Sequence, residues 1–223
     1  MKNDIIIFGM NKFDDWKNNT NFNRSYYILQ EMLKREDINR ILYIDYLPVK
    51  RVRALLNTKS IIKNLFSQVI YKTPYSYCVQ IKKDKLYEYA TILSVINWNS
   101  VYKELNKLVN KLKFENIILW SYYPLNVDYF DYLKNDMTVV YLDDDWQQKK
   151  SMQNGSKIDY IDVLRKNYNA ISNKANFIFT SSDELLEIFM GHDNSFWIDD
   201  VSKKDIKDYN WKQLVDEMFI KFK

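Results

Sequence analysis

Three consecutive carboxylates, Asp143, Asp144 and Asp145, close an apolar β-branched run in residues 137–146, MTVVYLDDDW. The run 138–141 is just long enough to cross a sheet buried on both faces. Such a strand sets the aspartates at its carboxyl end, where open α/β sheets hold their ligands. Adjacent carboxylates repel one another, and that repulsion raises the proton affinity of one of them toward that of a general base. Trp146 adds a flat apolar face on which a sugar ring can stack. The same residues suit an Asp-rich turn and a helix N-cap equally well, so their surroundings must decide.

The elements that must position these residues are read from hydrophobic spacing. Residues 5–8 form a continuous apolar run ending at Gly9, the pattern of a first buried parallel strand. The segment MNKFDDWKNNTNFN follows, a long polar loop of the kind that is either functional or disordered. From Arg24 the periodicity is helical, with Tyr27, Leu29, Met32 and Leu33 on one side, and residues 40–44 read as a second strand of a βαβ unit. Residues 77–82 and 86–93 read as two short strands around the turn KKDK. A helix over 98–113 has apolar residues at i, i+3, i+4 and i+7, with Asn97 as its N-cap.

Residues 116–120 read as the next buried strand, and its exit, SYYP, brings Tyr122 and Tyr123 to the sheet edge that carries the aspartates. A short helix over 127–133 leads into the strand at 137. A helix from 158 to about 172, a strand over 177–180 and a helix begun at Ser182 follow. GHDNSFWIDDVSKKD reads as irregular and polar. Residues 206–222 read as a last amphipathic helix carrying Trp211, Leu214, Val215, Met218, Phe219 and Phe222 on one side. This alternation predicts an α/β protein with a doubly wound, mostly parallel sheet.

Composition narrows the function classes. The 33 basic residues against 29 acidic ones leave a net charge of +4, too balanced for a dedicated nucleic-acid binder. The single cysteine, Cys78, excludes an internal disulfide framework, reads as a small core residue and points to a reducing, cytoplasmic setting. No Cys/His cluster has metal-ligand spacing, and no metal is expected. GxGxxG and GxxxxGK[ST] are both absent from the sequence, and no cofactor is expected. His192, the only histidine, reads as an exposed loop residue beside Gly191. The opening MKNDIIIFGM has too few apolar residues for a signal peptide or a membrane span.

Residues 48–72 break the rhythm. Lys50, Arg51, Arg53, Lys59, Lys63 and Lys72 interleave with Leu55, Leu56, Ile61, Ile62, Leu65, Phe66 and Ile70. This basic amphipathic stretch suits an ordinary surface helix with solvated lysines. It also suits contact with an anionic membrane surface, which would set the protein peripherally on the inner face of a membrane.

Taken in order, these motifs resemble the amino-terminal domain of the GT-B glycosyltransferases, two-Rossmann-domain enzymes that move a sugar from a nucleotide carrier to an acceptor. The resemblance covers residues 4–190. The opening strand, Asp14 and Asp15 before Trp16 in its loop, Arg24 at the helix start and LYIDYLP at the second strand are similar to the family's first βαβ unit. IILWSYYP resembles its strand ending in an aromatic and a proline, VVYLDDDW its VVYDxxDDW strand, and ANFIFTSSDELLE its ADxVxxTSxxL strand and helix. IKDYNWKQLVDEMF resembles the family's last helix, which crosses back to pack on the first domain. VVYLDDDW is about one residue shorter than the family pattern, so Asp143 and Asp144 are both candidates for its central aspartate. The family's carboxyl-terminal domain, which carries the nucleotide-sugar site, has no counterpart after Met190.

The resemblance implies a Rossmann-like domain over residues 1–190, then a linker and returning helix over 191–223. It implies the acceptor-binding half of a glycosyltransferase, with Asp144 as the base and Asp143 and Asp145 as neighbours that tune it. Trp16, Tyr122, Tyr123 and Trp146 would form a stacking wall, while Asp15 and Arg24 would bond the acceptor's hydroxyls or anionic groups. The acceptor would be a sugar or a lipid-linked molecule. A partner chain would carry the donor domain, as in the split N-acetylglucosamine transferases of lipid-linked oligosaccharide synthesis. The competing reading is a non-catalytic binding or scaffold protein derived from such an enzyme. The two differ in whether the aspartates line an open cleft or serve caps and buried pairs.

Overall fold

A computed structural model describes residues 2–9, 13, 24–45, 69–93, 97–122, 124, 126–142, 158–198 and 209–222, the side chains of 158–161 excepted. β1 (Asn3–Phe8) is the strand around which the sheet forms, and its Ile5, Ile6 and Ile7 have no exposed surface. α1 (Arg24–Lys34) returns the chain to β2 (Ile38–Ile44), which pairs parallel to β1. β3 (Val69–Lys72), β4 (Ser76–Lys82) and β5 (Leu86–Thr91) pair antiparallel in turn, and β5 lies parallel beside β2. α2 (Trp98–Lys111) then carries the chain to the far side of β1, where β6 (Ile117–Ser121) pairs with it.

The remaining elements are α3 (Tyr129–Tyr132), β7 (Met137–Leu142), α4 (Ile158–Lys174), β8 (Phe177–Thr180), α5 (Asp183–Ile188), β9 (Ser195–Trp197) and α6 (Trp211–Ile220). Among the described residues the strands form one nine-stranded, mostly parallel mixed sheet in the order β3-β4-β5-β2-β1-β6-β7-β8-β9. Strand growth therefore reverses direction between β1 and β6.

Side chains alternate across this sheet, so the central strands feed two cores. Ile6, Phe8, Leu119, Val140 and Ile178 pack with α2, Tyr129 of α3, Tyr168 and Ile171 of α4, and Leu185 of α5. Ile5, Ile7, Tyr43, Trp120 and Phe179 pack on the other face with α1 and α6. The expected caps are in place: Asn97 accepts from the Asn99 amide at 2.9 Å, and Ser182 from that of Leu185 at 3.2 Å. Cys78 is fully buried, and burial pushes its thiol up to about 12.

Three expectations need correction. The basic stretch 48–72 ends in a strand, β3, because Val69, Tyr71 and Lys72 pair with β4. The stretch read as an irregular linker contains β9, whose three residues gain their order from β8 rather than from a pattern of their own. On α1 the buried stripe is Ser25, Ile28, Leu29 and Met32. Tyr27 and Leu33 sit on its shoulder against the α6 side, and Tyr27 stacks on Trp211 at 5.3 Å. No helix among the described residues is long and apolar enough to cross a membrane.

α6 packs back onto α1 and the sheet. Asn210 caps it, and Trp211, Leu214, Val215, Met218 and Phe219 are its buried face. Arg35 fastens the seam: it grips Asp37 with two bonds of 2.9 and 2.8 Å, bonds Asp216, and lies 4.3 Å from the Phe219 ring centroid. Lys212, with Arg35 behind it, holds the Asp216 carboxyl below its ordinary value against a smaller opposing effect of burial.

A carboxyl depressed in the folded state contributes stability above its unfolded pKa, about 4, and loses it as pH falls through the folded value. Because Asp216 is 37% exposed, that contribution is below about 1 kcal/mol. In urea unfolding, Asp216→Asn should therefore be less stable than the parent at pH 7, and the difference should vanish near about pH 2. An equal difference at both pH values would refute the assignment.

Candidate functional site at the carboxyl edge of the sheet

The central strands end level with one another. Phe8 of β1 stands opposite both Ile44 of β2 and Ser121 of β6. Ser121 stands opposite Val140, so β7, which continues to Leu142, overshoots β6 before the chain reaches Asp143. Thr180 of β8 is level with Leu142. Backbone bonds extend this edge past the strands: Tyr122 N–H donates to Phe8 O at 3.0 Å, Gly9 N–H to Ile44 O at 2.9 Å, and Ser181 N–H to Leu142 O at 3.1 Å. In an open sheet the ligand crevice lies at this edge, at the point of reversal, here between β1 and β6.

The corner beside β1 is tightly built. A Cβ at Gly9 would lie 1.9 Å from the Tyr43 hydroxyl, so the residue leaving β1 must lack a side chain. Asp45, the first residue after β2, is 2% exposed, and its Oδ1 accepts the Phe13 backbone N–H at 2.9 Å. Phe13 is itself buried, with its ring 5.7 Å from that of Tyr43. Asp45 was not singled out in the sequence. The signal was nevertheless present, because LYID is an apolar run closed by a carboxylate, as VVYLD is.

Of the candidate site residues, Arg24 and Tyr122 are described. Arg24 is the first residue of α1 and is half-buried; α1 begins at the carboxyl edge because it joins two parallel strands. Tyr122 is 4% exposed, edge-on to Tyr141 at 5.5 Å and tilted against Trp120 at 6.1 Å. On the opposite face, Ser121 accepts from the Tyr129 hydroxyl at 2.8 Å, and burial drives that phenol's pKa upward. Asp15, Trp16, Tyr123, Asp143, Asp144, Asp145 and Trp146 lie outside the described residues, as do Lys50, Arg51, Arg53, Lys59 and Lys63.

Two buried polar atoms near this edge, Trp120 Nε1 and Thr180 Oγ1, have no hydrogen-bond partner among the described residues. No group of three or more His, Cys, Asp or Glu among the described residues is arranged to hold a metal. His192, expected as an exposed loop residue, is instead half-buried, because both ring nitrogens are bonded: Nδ1 accepts the Asn194 N–H at 3.2 Å, which leaves Nε2 to donate to Ala175 O at 2.9 Å.

A cavity of about 360 Å³ lies at the opposite, amino edge, lined by Glu31, Lys34, Arg35, Glu36, Asp37, Lys212, Val215 and Asp216. Its charges are largely paired: Lys34 with Glu31, Arg35 with Asp37 and Asp216, Lys212 with Asp216. The cavity belongs to the seam between α1 and α6, far from the strand ends that carry the motifs.

No family model matches the chain, and no curated protein matches it.

The Gly9 corner makes a direct prediction. Tyr43 is fully buried and has little room to retreat, so Gly9→Ala should cost about 1–3 kcal/mol in urea unfolding, as overpacked cores do. Unchanged stability would mean that Tyr43 does not occupy that space.

Proposed function

We propose that this chain is the acceptor-binding half of a glycosyltransferase, with the doubly wound architecture of a GT-B amino-terminal domain. It would transfer sugar only together with a donor domain carried by a second polypeptide. The observation that carries the reading is the strand order, which reverses between β1 and β6 and brings the ends of β1, β6, β7 and β8 to one edge. Each of the motif-bearing segments leaves the sheet there. The return of α6 to α1 supports the same reading.

In an inverting transfer, the Asp144 carboxylate would take the acceptor hydroxyl's proton as its oxygen attacks the anomeric carbon and the bond to the nucleotide phosphate breaks. Asp143 and Asp145 would raise its proton affinity by like-charge repulsion. Asp15 and Arg24 would bond acceptor hydroxyls or anionic groups, and Trp16, Tyr122, Tyr123 and Trp146 would present ring surface to the sugar. The burial of Tyr122 favours the alternative, a non-catalytic binding or scaffold protein on the same fold, because a packed ring has less surface to offer.

The chain alone is expected to give no binding heat with UDP-sugars or GDP-sugars, and tight binding in calorimetry would overturn the split arrangement. With a donor-domain polypeptide supplied, Asp144→Asn should slow transfer by about 10²–10⁴-fold. An unchanged rate would remove Asp144 from the role.

The basic stretch at Lys50, Arg51, Arg53, Lys59 and Lys63 is proposed to meet an anionic membrane surface on the cytoplasmic side, where a lipid-linked acceptor would be found. The chain should then co-sediment with phosphatidylserine vesicles at low salt and be released as salt rises. Failure to sediment at low salt would dismiss that contact.

A further inference from the structure

Between β1 and α1 the chain is held at two points on a single residue, Phe13. The Phe13 ring is buried against Tyr43, and the Phe13 amide is bonded to Asp45 at 2.9 Å, across 32 residues of chain. Asp45 is in turn set by its own backbone, whose N–H donates to Tyr89 O at 2.9 Å and so locks it to β5. A carboxylate that is 2% exposed is costly to bury unless its oxygens are bonded. A bond from a backbone amide to a carboxylate is about twice as strong as one between neutral groups. What the carboxylate adds is a fixed direction for the main chain at residue 13.

We infer that Asp45 is a positioning residue: it fixes the main chain at Phe13, which in the sequence precedes Asp15 and Trp16 by two and three residues. The anchor stands on the geometry of Asp45 and Phe13. Only its consequence for the acceptor rests on the proposed function.

Hydrogen exchange on the full chain tests the anchor. In Asp45→Ala the Phe13 amide should lose protection by about tenfold or more, while the amides of Ile6 and Leu119 keep theirs. Asp45→Asn, which retains an acceptor oxygen, should restore most of the loss. Should Asp45→Ala not fold, Asp45→Ser, whose shorter side chain cannot reach the amide, is expected to show the same local loss. Unchanged protection at Phe13, or a loss spread equally over Ile6 and Leu119, would overturn the inference.

In transfer assays with a donor polypeptide present, Asp45→Ala should raise the acceptor KM with little change in kcat, and Asp45→Asn should reverse it. A normal KM alongside a lost Phe13 anchor would count against the glycosyltransferase reading and leave the anchor standing.

Discussion

β1 has no free edge and no free face, and the rest of the molecule follows from enclosing it. Its edges are taken by β2 and β6 and its faces by two separate apolar clusters. A strand in that position is apolar along its buried centre, as Ile5, Ile6, Ile7 and Phe8 are. Because β6 must reach the second edge after β5 has been laid down on the first side, the sheet grows away from β1 in both directions. In open α/β sheets such a reversal is where ligands are held.

The two ends of the sheet are bonded differently. At the amino end Asp4, 1% exposed, accepts two bonds from Arg40, one from Asn39 and one from the Glu115 amide. The same Arg40 reaches the carbonyls of Leu112 and Lys113 where α2 ends. There a cation meets the negative end of the helix, and Lys113 takes the positive φ of 53° that a glycine would ordinarily supply. A chain with three glycines in 223 residues needs such clamps to close its turns. At the carboxyl end, by contrast, Asp45 accepts from the amide of Phe13, 32 residues earlier, and in the sequence the apolar run of β7 gives way directly to aspartates.

Much of the fold was legible because its elements have strong local patterns. β1, β6, β7 and β8 are continuous apolar runs, α2 repeats its apolar residues with helical spacing, and Asn97 and Ser182 mark helix starts by chemistry that acts within three residues. β3 and β9 were not legible. Each is short and half-buried or exposed at the sheet margin, so its sequence has no period to read and its order comes from one neighbouring strand. On the α1 stripe Leu29 and Met32 were read correctly, but Tyr27 and Leu33 stood in place of Ser25 and Ile28, Tyr27 because it meets Trp211 of a helix almost two hundred residues away. Of the candidate site, the strand ends were legible and the side chains that meet there were not. Tyr122 turned into the core against Tyr141, and Asp45 became important only once Phe13 was brought to it.

The sequence by itself determined which segments had to be buried on two faces, the helix starts marked by Asn97 and Ser182, and that carboxylates closed apolar strands; the last helix, read from residue 206, begins at Trp211 behind its cap Asn210. Those properties depend on spacing and on bonds between near neighbours. Tertiary structure alone decided the order of the strands, the level at which they end, and the pairs Asp45 with Phe13, Asp4 with Arg40 and Arg35 with Asp216. Those pairs join groups between 32 and 181 residues apart, and no local pattern specifies a partner at such a distance.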